Sequence, residues 1–262
     1  MARIVLAHGI LGFGHLFPMD PGLYFNRIAT EYTERGHDVF CPSVQPVGSL
    51  QERTKQLAVA VLQRWPDDGQ PIYLLAHSMG GLDCRRMLAV YPDIARRVPR
   101  LITIATPHFG SPVANAALKK GFLGFPTPAE LLTAYLADYA GALADLTRRS
   151  VLQNGPVNGF KGQPVDYVCI GCNAAATYPR SPVFVATAFV GGFGKVPNDG
   201  VVSLDSSSRT NKQADLFAVW PVDHGGAIGW PSGLPFEAAE AAASPPADHL
   251  ARYVALLGPL LK

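Results

Sequence analysis

The run Ala76-His77-Ser78-Met79-Gly80-Gly81 closes one apolar stretch, Ile72 to Ala76, and opens a segment whose apolar residues recur at helical spacing. A serine in such a strand-to-helix turn is held in a strained conformation that pushes Oγ out of the sheet, and small residues two positions either side let strand and helix pass closely. The pattern is usually written G-x-S-x-G, and here Ala76 stands in the first place. A serine hydroxyl is a weak nucleophile at neutral pH, so it needs a base, and the base needs an acid to orient it.

Seven histidines compete for the role of base: His8, His15, His37, His77, His108, His224 and His249. His224 lies in Pro221-Val222-Asp223-His224-Gly225-Gly226, just after the last apolar run, where the chain returns over the serine turn. His77 is adjacent to Ser78 and faces away from it, His249 falls on the final helix, and His8 is suited to holding its own loop in shape. For the acid, Asp199 in Pro197-Asn198-Asp199-Gly200-Val201-Val202-Ser203 occupies a turn that presents a carboxylate at a sheet edge. The same three residues, Asn-Asp-Gly, also read as an ordinary type I′ turn. Asp205 is the reserve, and Asp223 is too close in sequence to reach Nδ1 of His224.

Acyl transfer also needs donors for a developing oxyanion. The backbone N–H of Met79, at a helix N-terminus, is the first candidate. The second comes from the glycine-rich loop His8-Gly9-Ile10-Leu11-Gly12-Phe13-Gly14, with the N–H of Ile10 preferred and that of Leu11 second.

These groups have to be positioned by regular elements, and the pattern supplies them. Arg3–Ala7, Asp38–Cys41, Ile72–Ala76, Leu101–Ala105, Val165–Ile170 and Leu216–Trp220 read as short strands. Helices are expected within 22–35, from Ser49 to about Trp65, from Met79 to Tyr91 before Pro92, and over about 248–257. Strands apolar on both faces and separated by helices predict an α/β fold built on a mainly parallel six-stranded sheet with helices on both faces. The alternation breaks at 112–163, which holds helical but no strand pattern. That segment is expected to form a helical cap or lid inserted within a single domain spanning 1–262.

Composition narrows the function classes. Of 262 residues 48% are hydrophobic and 16% charged, with 26 Gly and 23 Pro, which fits a large loop-rich core and excludes general disorder. The net charge of +2 supplies no basic field for nucleic acid. Four cysteines (Cys41, Cys84, Cys169, Cys172) are too few for a disulfide scaffold. Cys169 and Cys172 have redox-motif spacing, but at the end of a strand, and buried structural thiols are the expected reading. With no h-region after Met1, a cytoplasmic location is expected, the alternative being a secreted protein whose signal peptide is absent from this chain.

His8-Gly9-Ile10-Leu11-Gly12-Phe13, the segment from Ala76 to Asp83, Thr106-Pro107-His108-Phe109-Gly110-Ser111, Asn198 to Ser203 and Asp223-His224 together resemble the bacterial triacylglycerol lipases and esterases of the α/β-hydrolase superfamily. The resemblance implies an ester hydrolase with Ser78, Asp199 and His224 as its triad, Ile10 and Met79 as oxyanion donors, and a mobile helical lid over an acyl-binding groove. Leu11, Phe109, Phe122 and Phe125 are expected to contact substrate. Secreted relatives often hold calcium through an aspartate two residues after the catalytic histidine; Gly226 stands there, so neither metal nor cofactor is expected. The expected partner is a small ester or lipid, with transient contact at a lipid interface and a monomeric chain. An amidase or acyltransferase on the same triad, or a non-catalytic hydrolase-fold binding protein, remain open alternatives.

Overall fold

The computed structural model describes residues 1–10, 21–117, 140–154, 165–174, 195–210, 216–230 and 249–262. Its centre is a six-stranded sheet of β1 (Arg3–Ala7), β2 (Asp38–Phe40), β3 (Ile72–His77), β4 (Arg100–Ile104), β5 (Asp166–Cys172) and β6 (Leu216–Trp220). The strand order is β2-β1-β3-β4-β5-β6, and every neighbouring pair is parallel. The chain lays β2 on one side of β1 and then returns to place β3 on the other. The order therefore reverses between β1 and β3, and the loops leaving their carboxyl ends diverge to open a crevice, the usual ligand position in such sheets.

Because side chains alternate across a strand, each apolar run feeds two cores. Ile4, Leu6, Leu75, Ile102 and Ile104 pack on one face against Phe25, Ile28, Tyr32, Tyr253 and Leu256. Val5, Ala7, Leu74, Ala76 and Leu101 pack on the other against Leu57, Val61, Cys84 and Met87. The helices behind the second face are α3 (Leu50–Arg64) and α4 (Met79–Val90). The α3 helix starts where the sequence places it: Ser49 Oγ accepts the N–H of Glu52 at 3.2 Å, satisfying one of the donors a helix N-terminus leaves open.

Two details depart from the sequence pattern. The segment read as one helix within 22–35 is broken into α1 (Pro21–Tyr24) and α2 (Ile28–Glu34), with Asn26 and Arg27 at φ 35° and 66°. Long-range contacts impose the break: Asn26 Nδ2 donates to the carbonyl of Gly229 at 2.6 Å, and His249 Nε2 donates to the carbonyl of Asn26 at 2.9 Å. In the sheet, Cys169 pairs with Leu216 but Ile170 with Ala218, so Phe217 is an extra residue in β6. Of the 112–163 insertion, the helices Pro112–Ala117, Ala140–Asp145 and Arg148–Asn154 are described. The rest of the expected cap, with Phe122 and Phe125, lies outside the described residues, as does Leu11.

Candidate active site

Ser78 caps α4 directly after β3, at φ 56° and ψ −131°, a region that a residue with a side chain rarely occupies. Holding it there costs on the order of 1–3 kcal/mol and persists only where the surroundings enforce it. Enforcement comes from both sides. Ser78 N–H donates to the carbonyl of Ile104 on β4 at 2.9 Å. Gly80 presses α4 onto β1 so closely that a Cβ there would lie 2.4 Å from the carbonyl oxygen of Ala7. Ala76, in the first position of the motif, is fully buried within β3.

The structure brings Ser78, His224 and Asp199 into one hydrogen-bonded line. Ser78 Oγ lies 2.9 Å from His224 Nε2, and His224 Nδ1 lies 2.7 Å from Asp199 Oδ2. With the proton on Nδ1 donated to the carboxylate, Nε2 is left to accept from the serine hydroxyl. Asp199 is fully buried, and its other oxygen, Oδ1, accepts the N–H groups of Val201 at 2.9 Å and Val202 at 2.7 Å. A further backbone bond, from His224 N–H to the carbonyl of Asp199 at 2.9 Å, ties the two loops together. The Asn-Asp-Gly segment is thus a turn whose geometry aims a carboxylate.

The competing residues are placed elsewhere. Asp205 pairs with Arg209 at 2.7 Å and is exposed. Asp223 Oδ1 accepts the N–H of Gly226 at 2.6 Å and so starts the 3₁₀ turn Gly226–Ile228. His108 is buried between Arg85 Nη1 and Thr103 Oγ1, each at 3.0 Å, and burial pushes its pKa well below the ordinary histidine range. His77 is buried with its ring 4.7 Å from that of His224, and burial, with the neighbouring imidazole, likewise pushes its pKa far down. No disulfide joins the four cysteines, and burial raises the pKa of Cys172.

Met79 is the first residue of α4, so its N–H is one of those a helix start leaves without an intrahelical acceptor. Ile10 and Met79 belong to one apolar cluster with Leu50, Leu82, Ala142, Leu146 and Val151, which brings the two candidate donor segments side by side next to Ser78. Phe109 ends one loop away: its N–H donates to Ser206 Oγ at 3.0 Å and its ring lies under the Arg209 guanidinium, 4.9 Å from the centroid.

Arg53 carries a role that helical spacing alone could not disclose. It sits on the apolar face of α3, fully buried, and donates to Asp83 Oδ2 through Nε at 2.9 Å and Nη2 at 2.7 Å. Its Nη2 also donates to the carbonyl of His8 at 2.8 Å, tying the loop after β1 to the two helices behind it. Burial pushes the Asp83 carboxyl up to about 6, with Arg53 pulling the other way.

The same architecture recurs in solved structures. A Staphylococcus hyicus lipase superposes with a TM-score of 0.69 over 99% of this chain and 95% of its own, at 18% identity. The mature Bacillus licheniformis lipase BlEst2 gives 0.64 over 87% and 86%, at 23% identity. The chain has the α/β-hydrolase fold. Within this fold, residues 46–122, from α3 through the serine turn to the start of the insertion, match the PGAP1-like alpha/beta domain family. In sequence it is 28% identical over 138 residues to the triacylglycerol lipase of Pseudomonas fragi, covering 51% of this chain and 45% of that one. It is 34% identical over 106 residues to triacylglycerol lipase 2 of Saccharomyces cerevisiae, covering 35% and 32%. The matched stretches therefore span less than half the length of these relatives.

Proposed function

We propose that this α/β-hydrolase cleaves carboxylic esters, acylglycerols among them, with Ser78 as nucleophile, His224 as general base and then acid, and Asp199 as the orienting acid. The observation that carries the reading is the continuous line from Ser78 Oγ through the His224 imidazole to Asp199. Ser78 Oγ attacks the ester carbonyl while Nε2 of His224 takes its proton. The negative charge on the carbonyl oxygen meets the N–H groups of Met79 and Ile10. Nε2 then returns the proton to the departing alcohol, leaving an acyl-serine, and a water activated by the same imidazole releases the acid and restores Ser78. Asp199 holds the imidazole tautomer and stabilises the imidazolium. The apolar cluster beside Met79 and the lipase relatives support an apolar acyl group as substrate. Contact with a lipid interface, a monomeric state and a cap over 112–163 belong to the same proposal.

The test is a rate series on p-nitrophenyl esters of increasing acyl length and on emulsified triglyceride, with fluorophosphonate labelling alongside. Label and turnover are expected in the wild type and absent in Ser78→Ala. Labelling retained in that variant refutes the assignment of Ser78. Turnover of amides, or acyl transfer to added alcohols, in preference to ester hydrolysis would move the reaction class while keeping the site.

A further inference from the structure

The two peptide units leading to Ile10 are each held by named side chains. The carbonyl of His8 accepts Arg53 Nη2 at 2.8 Å, and the N–H at the other end of that peptide, on Gly9, donates to the Tyr24 hydroxyl at 3.0 Å. The carbonyl of Gly9 accepts His8 Nδ1 at 2.9 Å, and His8 Nε2 in turn accepts the N–H of Val44 at 3.2 Å. A trans peptide is planar with its C=O and N–H pointing in opposite directions. Pinning the Gly9 carbonyl therefore aims the Ile10 N–H the other way.

Tyr24 is the member of this set that also touches the serine turn. Its hydroxyl lies 2.6 Å from Nδ1 of His77, the residue before the nucleophile. A Cβ on Gly9 would come within 2.9 Å of the Tyr24 hydroxyl, 2.6 Å of Ser78 Cβ and 3.0 Å of Ser78 Oγ, so the Gly9 backbone fills the gap between the tyrosine oxygen and the nucleophile. Tyr24 is buried, and burial pushes its pKa above the usual phenol range, so the hydroxyl keeps its proton. Its oxygen accepts from Gly9 and its proton goes to His77 Nδ1. His77 then carries its own proton on Nε2 and remains neutral beside the His224 ring.

We propose that Tyr24 is a positioning residue for the oxyanion site: its hydroxyl, bonded at once to Gly9 and His77, sets the Ile10 N–H at a fixed distance from Ser78. This rests on the ester-hydrolase reading of Ser78. The break between α1 and α2 is what permits it. A helix continuous through residues 22–35 would stack Tyr24 directly over Ile28, four residues on; the turn at Asn26 and Arg27 breaks that register, so that the Tyr24 ring joins Phe25 and Ile28 in the core while its hydroxyl reaches Gly9 and His77.

Tyr24→Phe removes one oxygen and keeps the ring, which packs edge-on to Phe25 with centroids 5.0 Å apart. Deleting an oxyanion donor outright costs ~10²–10³ in turnover; misaiming one that is still present is expected to lower kcat about tenfold to a hundredfold. KM is expected to stay within about twofold, because the ground-state ester makes little use of the donor. Affinity for an alkyl boronic acid, whose tetrahedral adduct places an oxygen in the oxyanion position, is expected to fall in step with kcat. Unchanged kcat and boronate affinity overturn the proposal, as does a kcat loss with boronate affinity intact. If the phenylalanine variant does not fold, p-aminophenylalanine at position 24 keeps a donor for His77 but gives Gly9 a weaker acceptor; an intermediate loss in both readouts supports the role, and none overturns it. A wild type that neither turns over esters nor takes the fluorophosphonate refutes the ester-hydrolase reading and this inference with it. An active wild type beside an unaffected variant refutes the inference alone.

Discussion

Replacing Asp199 with Asn changes one atom and leaves the packing volume intact, so the hydrogen bonds around it decide the outcome. Oδ1 accepts two backbone N–H groups, from Val201 and Val202, and Oδ2 accepts Nδ1–H of His224. An asparagine has one oxygen for these two places. If the oxygen stays against the backbone, the amide NH₂ faces Nδ1 and forces it to accept; the imidazole proton moves to Nε2, 2.9 Å from Ser78 Oγ, and the base is lost. If the amide turns over, its NH₂ meets both backbone donors and leaves them unsatisfied in a fully buried place. At about 1–3 kcal/mol for each orphaned group, that arrangement is disfavoured by roughly 2–6 kcal/mol. The catalytically useful rotamer is then populated about one part in thirty to one in twenty-five thousand. Loss of the carboxylate charge facing the imidazolium comes on top, so kcat on p-nitrophenyl butyrate is expected to fall ~10³–10⁴-fold. KM and the melting temperature are expected to change little, and fluorophosphonate labelling should slow in proportion. A variant retaining more than about a tenth of wild-type kcat would show that another group orients His224.

Two further outcomes follow from packing and burial. Gly80→Ala places a methyl group 2.4 Å from the carbonyl oxygen of Ala7, at the end of the strand that feeds the oxyanion loop, so α4 must move off β1. Loss of soluble protein, or of over nine-tenths of the activity in what folds, is expected from expression trials and ester assay. Burial lowers the pKa of His8 to about 3 and those of His77 and His108 well below their ordinary value. The unfolded chain binds protons on these residues before the folded one does, so their stabilising contribution is full above pH 6.5 and is lost as pH falls below it. Asp83, raised from 3.8 to about 6, contributes in the opposite sense: its stabilisation is full below pH 3.8 and disappears as pH rises through 6. The three histidines outweigh it. Urea unfolding from pH 7 to pH 5 should therefore show stability falling steadily with acid, and a flat profile would contradict the neutral, buried state of these rings.

Much of this architecture is legible in the sequence. The bounds of β1 and β6, the Ser49 cap and the serine turn follow from local pattern, because strand alternation and capping are properties of neighbouring residues. The three segments carrying Ser78, Asp199 and His224 announce themselves through turn chemistry, and the fold sets them within hydrogen-bond reach. Arg53 and Tyr24 were not legible. Nothing local tells that Arg53 meets Asp83 and the His8 carbonyl, or that Tyr24 meets Gly9 and His77. The break at Asn26 and the extra residue Phe217 in β6 were hidden for the same reason: one is dictated by Gly229 and His249, the other by pairing with β5.

The conformation of Ser78 bears on how such a protein can be improved. Its left-handed φ is imposed by the sheet and by α4 whether or not an ester is bound, so it is a standing charge on the folded state. Glycine would sit in the same place without that strain. A selection for heat resistance alone would drift toward Ser78→Gly and discard the enzyme while improving the protein, so thermal and catalytic screening of this fold must be coupled from the first round.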